Sequence, residues 1–180
     1  NAKDGTPLIN IIEDQGALPG IKVDKGLQPI GDSAETVTVG LEGLDKRLKE
    51  YAAMGAKFTK WRAVIKIGNG MPSQECIDAN MKALADYAKV VQDNNMVPMV
   101  EPEVLMDGSH SIEDCFNASE RSLKSLFHNL KDKFEMTREE FDENSKPLFV
   151  FRNSFNEVLQ GMEDMALSDN RGNLKDDADL

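Results

Sequence analysis

From the N-terminus to about Phe134, apolar residues follow two alternating rhythms. Short apolar runs with side chains alternating between faces give way to stretches in which apolar positions recur every three or four residues. The first rhythm suits strands and the second suits amphipathic helices, so the alternation predicts βα units in series and a parallel sheet. The first unit has a strand over about Ala17–Lys25 and a helix over Leu41–Met54 with Leu41, Leu44, Leu48 and Tyr51 on one face. The Gly/Asp/Ser-rich link between them reads as a long active-side loop or a disordered one. The second has a strand over about Lys57–Ile67, the turn Gly68-Asn69-Gly70, and a helix capped by Ser73 that carries Ile77, Leu84, Ala88 and Val91 and stops at Asn94-Asn95. The third has a strand over about Met96–Val104, the turn Asp107-Gly108, and a helix opened by the capping-box pattern Ser111-x-x-Asp114, with Ile112, Phe116, Leu123, Phe127 and Leu130 expected inside. Three such units favour an α/β fold, either a doubly wound sheet or a (β/α)8 barrel.

Beyond Phe134 the pattern changes. Residues 1–134 hold 20 acids and 16 bases, whereas 135–180 hold 12 acids and 5 bases. The chain therefore divides into βα units over 1–134, a divergent βα-like part over 135–167, and an acidic tail over 168–180. Within the second part, Thr137-x-x-Glu140 suits a short capped helix, Leu148–Arg152 a strand, and Ser154–Ala166 an amphipathic helix with Phe155, Val158, Leu159, Met162 and Met165 on its stripe.

A formal charge of −11 argues against nucleic acid as a partner. No run approaches the ~20 apolar residues of a membrane span. Cys76 and Cys115 form no CxxC pattern, so neither a disulfide framework nor a cysteine zinc site is expected, and a reducing, cytoplasmic setting fits, or a plastid in a phototroph. No secretory signal opens the chain, which begins at Asn1. His110 and His128 are isolated, and no metal or cofactor is expected. Asn117-Ala118-Ser119 matches a glycosylation acceptor by coincidence inside a helix. Met81, Met96 and Met162 read as core filling.

Charges interrupt the strands. Strand side chains alternate, so Lys22 and Asp24 share a face, as do Lys60 and Arg62, and Glu101 and Glu103. Their neighbours Ile21, Val23, Trp61, Ala63, Val100 and Val104 are apolar and belong under the helices, which leaves the charges on the opposite, inward face. Burying unpaired ions costs several kcal/mol each, so these six groups either compensate one another or bind something charged. A structural ion network explains any single pair about as well as a site does. Three pairs near the C-terminal ends of successive strands, 38 and 41 residues apart from Lys22 to Lys60 to Glu101, favour a site. Lys22, Lys60 and Arg62 suit an anionic, phosphorylated substrate. Glu101 and Glu103 suit general acid–base work, because two close carboxylates ionise together only when cations compensate them. Spacing alone points to Lys60 as an imine-forming nucleophile.

The runs Pro19-Gly20-Ile21-Lys22-Val23-Asp24-Lys25-Gly26, Lys60-Trp61-Arg62-Ala63-Val64 and Val97-Pro98-Met99-Val100-Glu101-Pro102-Glu103-Val104 resemble class I fructose-bisphosphate aldolase. The resemblance covers about residues 1–134 and implies strands three, four and five of a (β/α)8 barrel. It also implies imine chemistry that cleaves fructose 1,6-bisphosphate to dihydroxyacetone phosphate and glyceraldehyde 3-phosphate. On this resemblance Lys22 contacts phosphate with Asp24 beside it. Lys60 and Arg62 stabilise charge and substrate, Glu101 is the acid/base of carbinolamine dehydration, and Glu103 tunes it. The family's imine lysine lies in a Leu-Lys-Pro-Asn type motif on strand six, which removes Lys60 from that role. The sequence has no such motif, Lys146-Pro147 being its nearest echo. Leu159-Gln160 followed by Asn173-Leu174-Lys175 resembles the family's last-strand region, where Glu157 stands at the place of a phosphate-binding arginine. A catalytically silent truncated relative, acting as a binding or structural module, is the alternative. Three or four strands cannot close an eight-stranded barrel, so the expected fold is a partial or internally deleted (β/α)8 TIM barrel, or one whose sheet edges are covered by a second copy or a partner chain.

Overall fold

The structure, a computed structural model, describes residues 1–135. The expectations for Thr137–Glu140, Lys146-Pro147, Leu148–Arg152, Ser154–Ala166, Glu157, Met162 and the segments beyond lie outside the described residues. Nine elements follow in the order α1 (Leu8–Asp14), β1 (Gly20–Lys22), β2 (Leu27–Pro29), β3 (Thr36–Thr38), α2 (Leu44–Ala53), β4 (Phe58–Ile65), α3 (Gln74–Asp93), β5 (Val97–Val104) and α4 (Ile112–Lys133).

β1, β4 and β5 make a parallel sheet with β4 at its centre. Parallel pairing requires each connection to cross back over the sheet, and α2 does this between β1 and β4 and α3 between β4 and β5, while α4 follows β5 in the order the periodicity predicted. β4 buries Thr59, Trp61, Ala63 and Ile65 on its helix-facing side, against Leu44 and Leu48 of α2 and Ile77, Met81, Leu84, Ala88 and Val91 of α3. Trp61 stacks obliquely on Tyr87 with ring centroids 5.2 Å apart, and the Tyr87 hydroxyl meets Thr59 Oγ1 at 2.6 Å. Met81 and Met96 are buried, as read from the sequence.

Helix ends follow the local chemistry. Ser73 Oγ accepts from the Cys76 amide at 3.1 Å and caps α3. The helix stops before Asn95, whose φ of 55° is left-handed. Ser111 and Asp114 complete the capping box, with Oγ accepting from the Asp114 amide and the Asp114 carboxylate accepting from the Ser111 amide.

Three expectations need correction. The strand of the first unit is Gly20–Lys22 and its helix is Leu44–Ala53, so Leu41 lies outside the helix and is exposed. The link between them is not simply a loop: β2 and β3 form an antiparallel hairpin. Asn80 on α3 holds it like a surrogate strand, its Oδ1 accepting from the Thr38 amide at 3.1 Å and its Nδ2 donating to Thr36 O at 2.8 Å. Glu35 adds a bond from the Ser73 amide at 2.8 Å. In α4 the fully buried positions are Ala118, Ser122 and Leu126, while Phe116, Leu123, Phe127 and Leu130 are half-buried and Ile112 is exposed. Small residues lie at the closest approach, because they allow α4 to sit near α3 and the sheet.

Candidate active site

The sheet register sets the charged groups side by side. Lys22 aligns with Lys60, Arg62 with Glu101, and Val64 with Glu103. Pleating sends Lys22, Lys60, Arg62, Glu101 and Glu103 to the face away from the helices, and Asp24, just past the end of β1, joins them. All six sequence-predicted residues come together, as three ion pairs. Lys60 Nζ lies 3.0 Å from Glu101 Oε2, and Arg62 Nε lies 3.1 Å from Glu103 Oε2. Lys22 pairs with Asp24. Asp24 also ties strand to strand, its Oδ2 accepting from the Arg62 amide at 3.4 Å.

Exposure separates the members. The Asp24 side chain is 4% exposed, those of Glu101 and Glu103 are 37%, and that of Lys22 is 54%. Oε2 of each glutamate is itself shut off from water, and its contact with the cation is close without being an aligned hydrogen bond. Half-open ion pairs contribute about 0–1 kcal/mol apiece. Stability alone therefore gives little reason to set six charges on one sheet face. The cationic cluster expected from sequence differs in one respect: Asp24, Glu101 and Glu103 neutralise it group for group. An incoming anion has to take over Lys22, Lys60 or Arg62 from a carboxylate, and the carboxylate released then becomes a proton acceptor.

Two nucleophilic groups elsewhere are held protonated. Burial pushes the Cys76 thiol up to about 11, with the nearby Glu35 charge adding to it, and burial pushes the Tyr87 phenol up to about 12 against its bond to Thr59. His128 is exposed and lies 3.5 Å from Asp132 one turn away. Among the described residues no group of three His, Cys, Asp or Glu side chains stands together as a metal holder, and no helix is long and apolar enough to cross a membrane.

Sequence reasoning missed Arg47, which reaches from α2 to the carbonyls of Val23 and Gly40 at 2.9 and 2.5 Å. In the run Asp45-Lys46-Arg47 nothing marks it apart from a solvated helix face. Glu35 and Asn80 were missed for the same reason, since their contacts cross 38 and 42 residues of sequence.

A family model described as fructose-bisphosphate aldolase class-I matches residues 1–139. The chain is 56% identical over 126 residues to a probable fructose-bisphosphate aldolase class 1 of Xanthomonas campestris pv. campestris, covering 69% of this chain and 38% of that one. It is 49% identical over 132 residues to the cytosolic fructose-bisphosphate aldolase 6 of Arabidopsis thaliana, covering 73% and 37%. The solved fructose-bisphosphate aldolase of Plasmodium falciparum, in a ternary complex with TRAP and a small-molecule inhibitor, matches with a TM-score of 0.72 at 42% identity, covering 74% of this chain and 39% of that chain. The chain thus spans under two-fifths of the length of these relatives. With the family model and both relatives in agreement over the segment that carries the three ion pairs, the chain belongs to the class I fructose-bisphosphate aldolase family.

Proposed function

We propose that the chain works in class I aldolase chemistry, the reversible imine-dependent cleavage of fructose 1,6-bisphosphate, and that its charged sheet face is the sugar-phosphate site. The observation that carries this reading is the convergence of Lys22–Asp24, Lys60–Glu101 and Arg62–Glu103 on one face of three adjacent strands. In this reading β1, β4 and β5 stand as strands three, four and five of an eight-stranded barrel, with the charged face toward its axis. Lys22 binds phosphate with Asp24 holding it in place, and Arg62 binds substrate. Lys60 stabilises developing negative charge. Glu101 moves the proton that converts carbinolamine to imine, and Glu103 sets its readiness through the charge it shares with Arg62. Substrate anion displaces a carboxylate from its cation, so binding itself readies the base. The cytosolic name of the plant relative supports a cytoplasmic setting. The outer strands β1 and β5 suit pairing with further barrel strands or with another copy of the chain.

The imine-forming lysine belongs to a motif that the sequence lacks, so the 180 residues alone are expected to bind without covalent capture. Calorimetry with dihydroxyacetone phosphate, followed by borohydride reduction and mass spectrometry of the same sample, tests this. Heat of binding with unchanged mass supports the reading. Absence of binding overturns it, and an adduct on Lys60 reassigns that residue as the nucleophile.

A further inference from the structure

We propose that Arg47 is a positioning residue for the charged face, acting on Lys22 and Asp24 through the backbone between them. The inference rests on the sugar-phosphate reading of that face. Val23 separates the two residues and has both of its main-chain groups engaged: its N–H donates to Lys60 O at 3.0 Å, and its C=O accepts from Arg47 Nη1 at 2.9 Å. The first bond fixes the end of β1 to β4, and the second fixes it to α2. The other prong, Nη2, reaches Gly40 O at 2.5 Å, at the base of the β2–β3 hairpin. Gly40 is at φ 138°, and a side-chain carbon there would sit 3.0 Å from the Lys25 amide nitrogen and 3.3 Å from Asp24 Cα. The hairpin base therefore presses directly on the segment that Arg47 clamps. Lys25 N–H adds a bond to Val39 O at 2.7 Å.

The electrostatics argue against a merely decorative contact. Among the described residues no carboxylate pairs with Arg47, and its Nε is buried with no acceptor. A guanidinium withdrawn from water onto two carbonyls costs desolvation, and only a rigid fork spans two acceptors in this way. What the fork holds is the exit of β1, from which Asp24 receives Lys22 and bonds the Arg62 amide. Without it the exit relaxes, Asp24 loses its fixed position between the two strands, and Lys22 loses the partner that directs its ammonium over the face. Both prongs of Arg47 are taken up by the carbonyls of Val23 and Gly40, so its effect has to pass through the backbone to Lys22 and Asp24.

The test is a calorimetric mutant cycle on the full 180-residue chain with fructose 1,6-bisphosphate. Arg47→Gln is expected to weaken binding on the order of tenfold, the scale of one charge-assisted hydrogen bond, while Arg47→Lys recovers part of the loss. Fluorescence of Trp61, the single tryptophan, reports whether the core beneath the site stays packed. In a Lys22→Met background the Arg47→Gln change is expected to cost little more. In a Lys60→Met background it is expected to cost its full tenfold. Equal losses in both backgrounds, or no loss in the wild-type background while Lys22→Met does weaken binding, overturn the positioning role and leave the site reading standing. If neither Lys22→Met nor Lys60→Met alters affinity, the site reading fails instead. Should Arg47→Gln not fold, the same cycle run with Arg47→Lys decides in the same way.

Discussion

The two faces of the β1–β4–β5 sheet are built from the same backbone and differ in everything else. Toward the helices β4 presents Thr59, Trp61, Ala63 and Ile65, each fully buried. Toward the other side it presents Lys60 and Arg62, both half-open and paired with glutamates from β5. Complete burial converts each apolar side chain into about 1.5–3 kcal/mol of stabilisation, whereas half-exposed ion pairs give about 0–1 kcal/mol. One face thus holds the fold together, while the other carries charge that the fold hardly needs. A period-two alternation divides packing from charge along a single strand.

The largest effect that sharpens this contrast belongs to the packed face. Trp61→Ala removes the ring lying between Tyr87 and the hairpin base, and is expected to cost about 3–5 kcal/mol in urea unfolding, as large aromatic truncations do. A cost below 1 kcal/mol there would erase the distinction between the faces. On the other face, Lys60→Met and Arg62→Ala are expected to change unfolding free energy by less than about 1 kcal/mol. The same two variants should weaken sugar-phosphate binding by more than about 1 kcal/mol, read by calorimetry. Unchanged affinity in both would remove the site from the charged face.

The smallest effect concerns charges that serve only the fold. Burial pulls the Asp86 carboxyl up, but hydrogen bonds from Lys133 and Lys82 outweigh it and hold the group below the ordinary carboxylate range. A depressed folded value means that its contribution is complete above the unfolded pKa and drains away as pH falls through the folded one. Acid titration of stability below about pH 4 should therefore show a loss that Asp86→Asn lacks, within the ~0.2–1 kcal/mol of an exposed pair. Asp86→Asn should leave sugar-phosphate affinity untouched, since the pair joins α3 to α4 and lies off the charged face.

How far the sequence could be read follows from the range of each interaction. The capping box at Ser111 and Asp114, the cap at Ser73 and the stop at Asn94-Asn95 span three or four residues, and the structure has all of them. The clustering of the six charged residues was legible because strand periodicity makes a charge in an apolar run conspicuous, and because three motifs resembled one family. The hairpin was not legible: β2 and β3 are three residues each, too short for any period, and their anchor is Asn80 on α3, 42 residues beyond Thr38. The inside of α4 was misjudged for a related reason. Apolar periodicity finds the greasy stripe, but the closest helix contact selects Ala118 and Ser122 for size. Lys60 looked like a nucleophile from spacing, and its Nζ, 3.0 Å from Glu101 Oε2, has an ion partner that spacing could not reveal.

The central claim is that the open face, and not the helical surface, receives the sugar phosphate. A two-dimensional NMR titration with fructose 1,6-bisphosphate, following the side-chain signals of all lysines, tests it most directly. The account requires shifts concentrated at Lys22 and Lys60, with the helix lysines Lys46, Lys49 and Lys82 unmoved. Shifts spread evenly over every lysine, or confined to the helices, would contradict it.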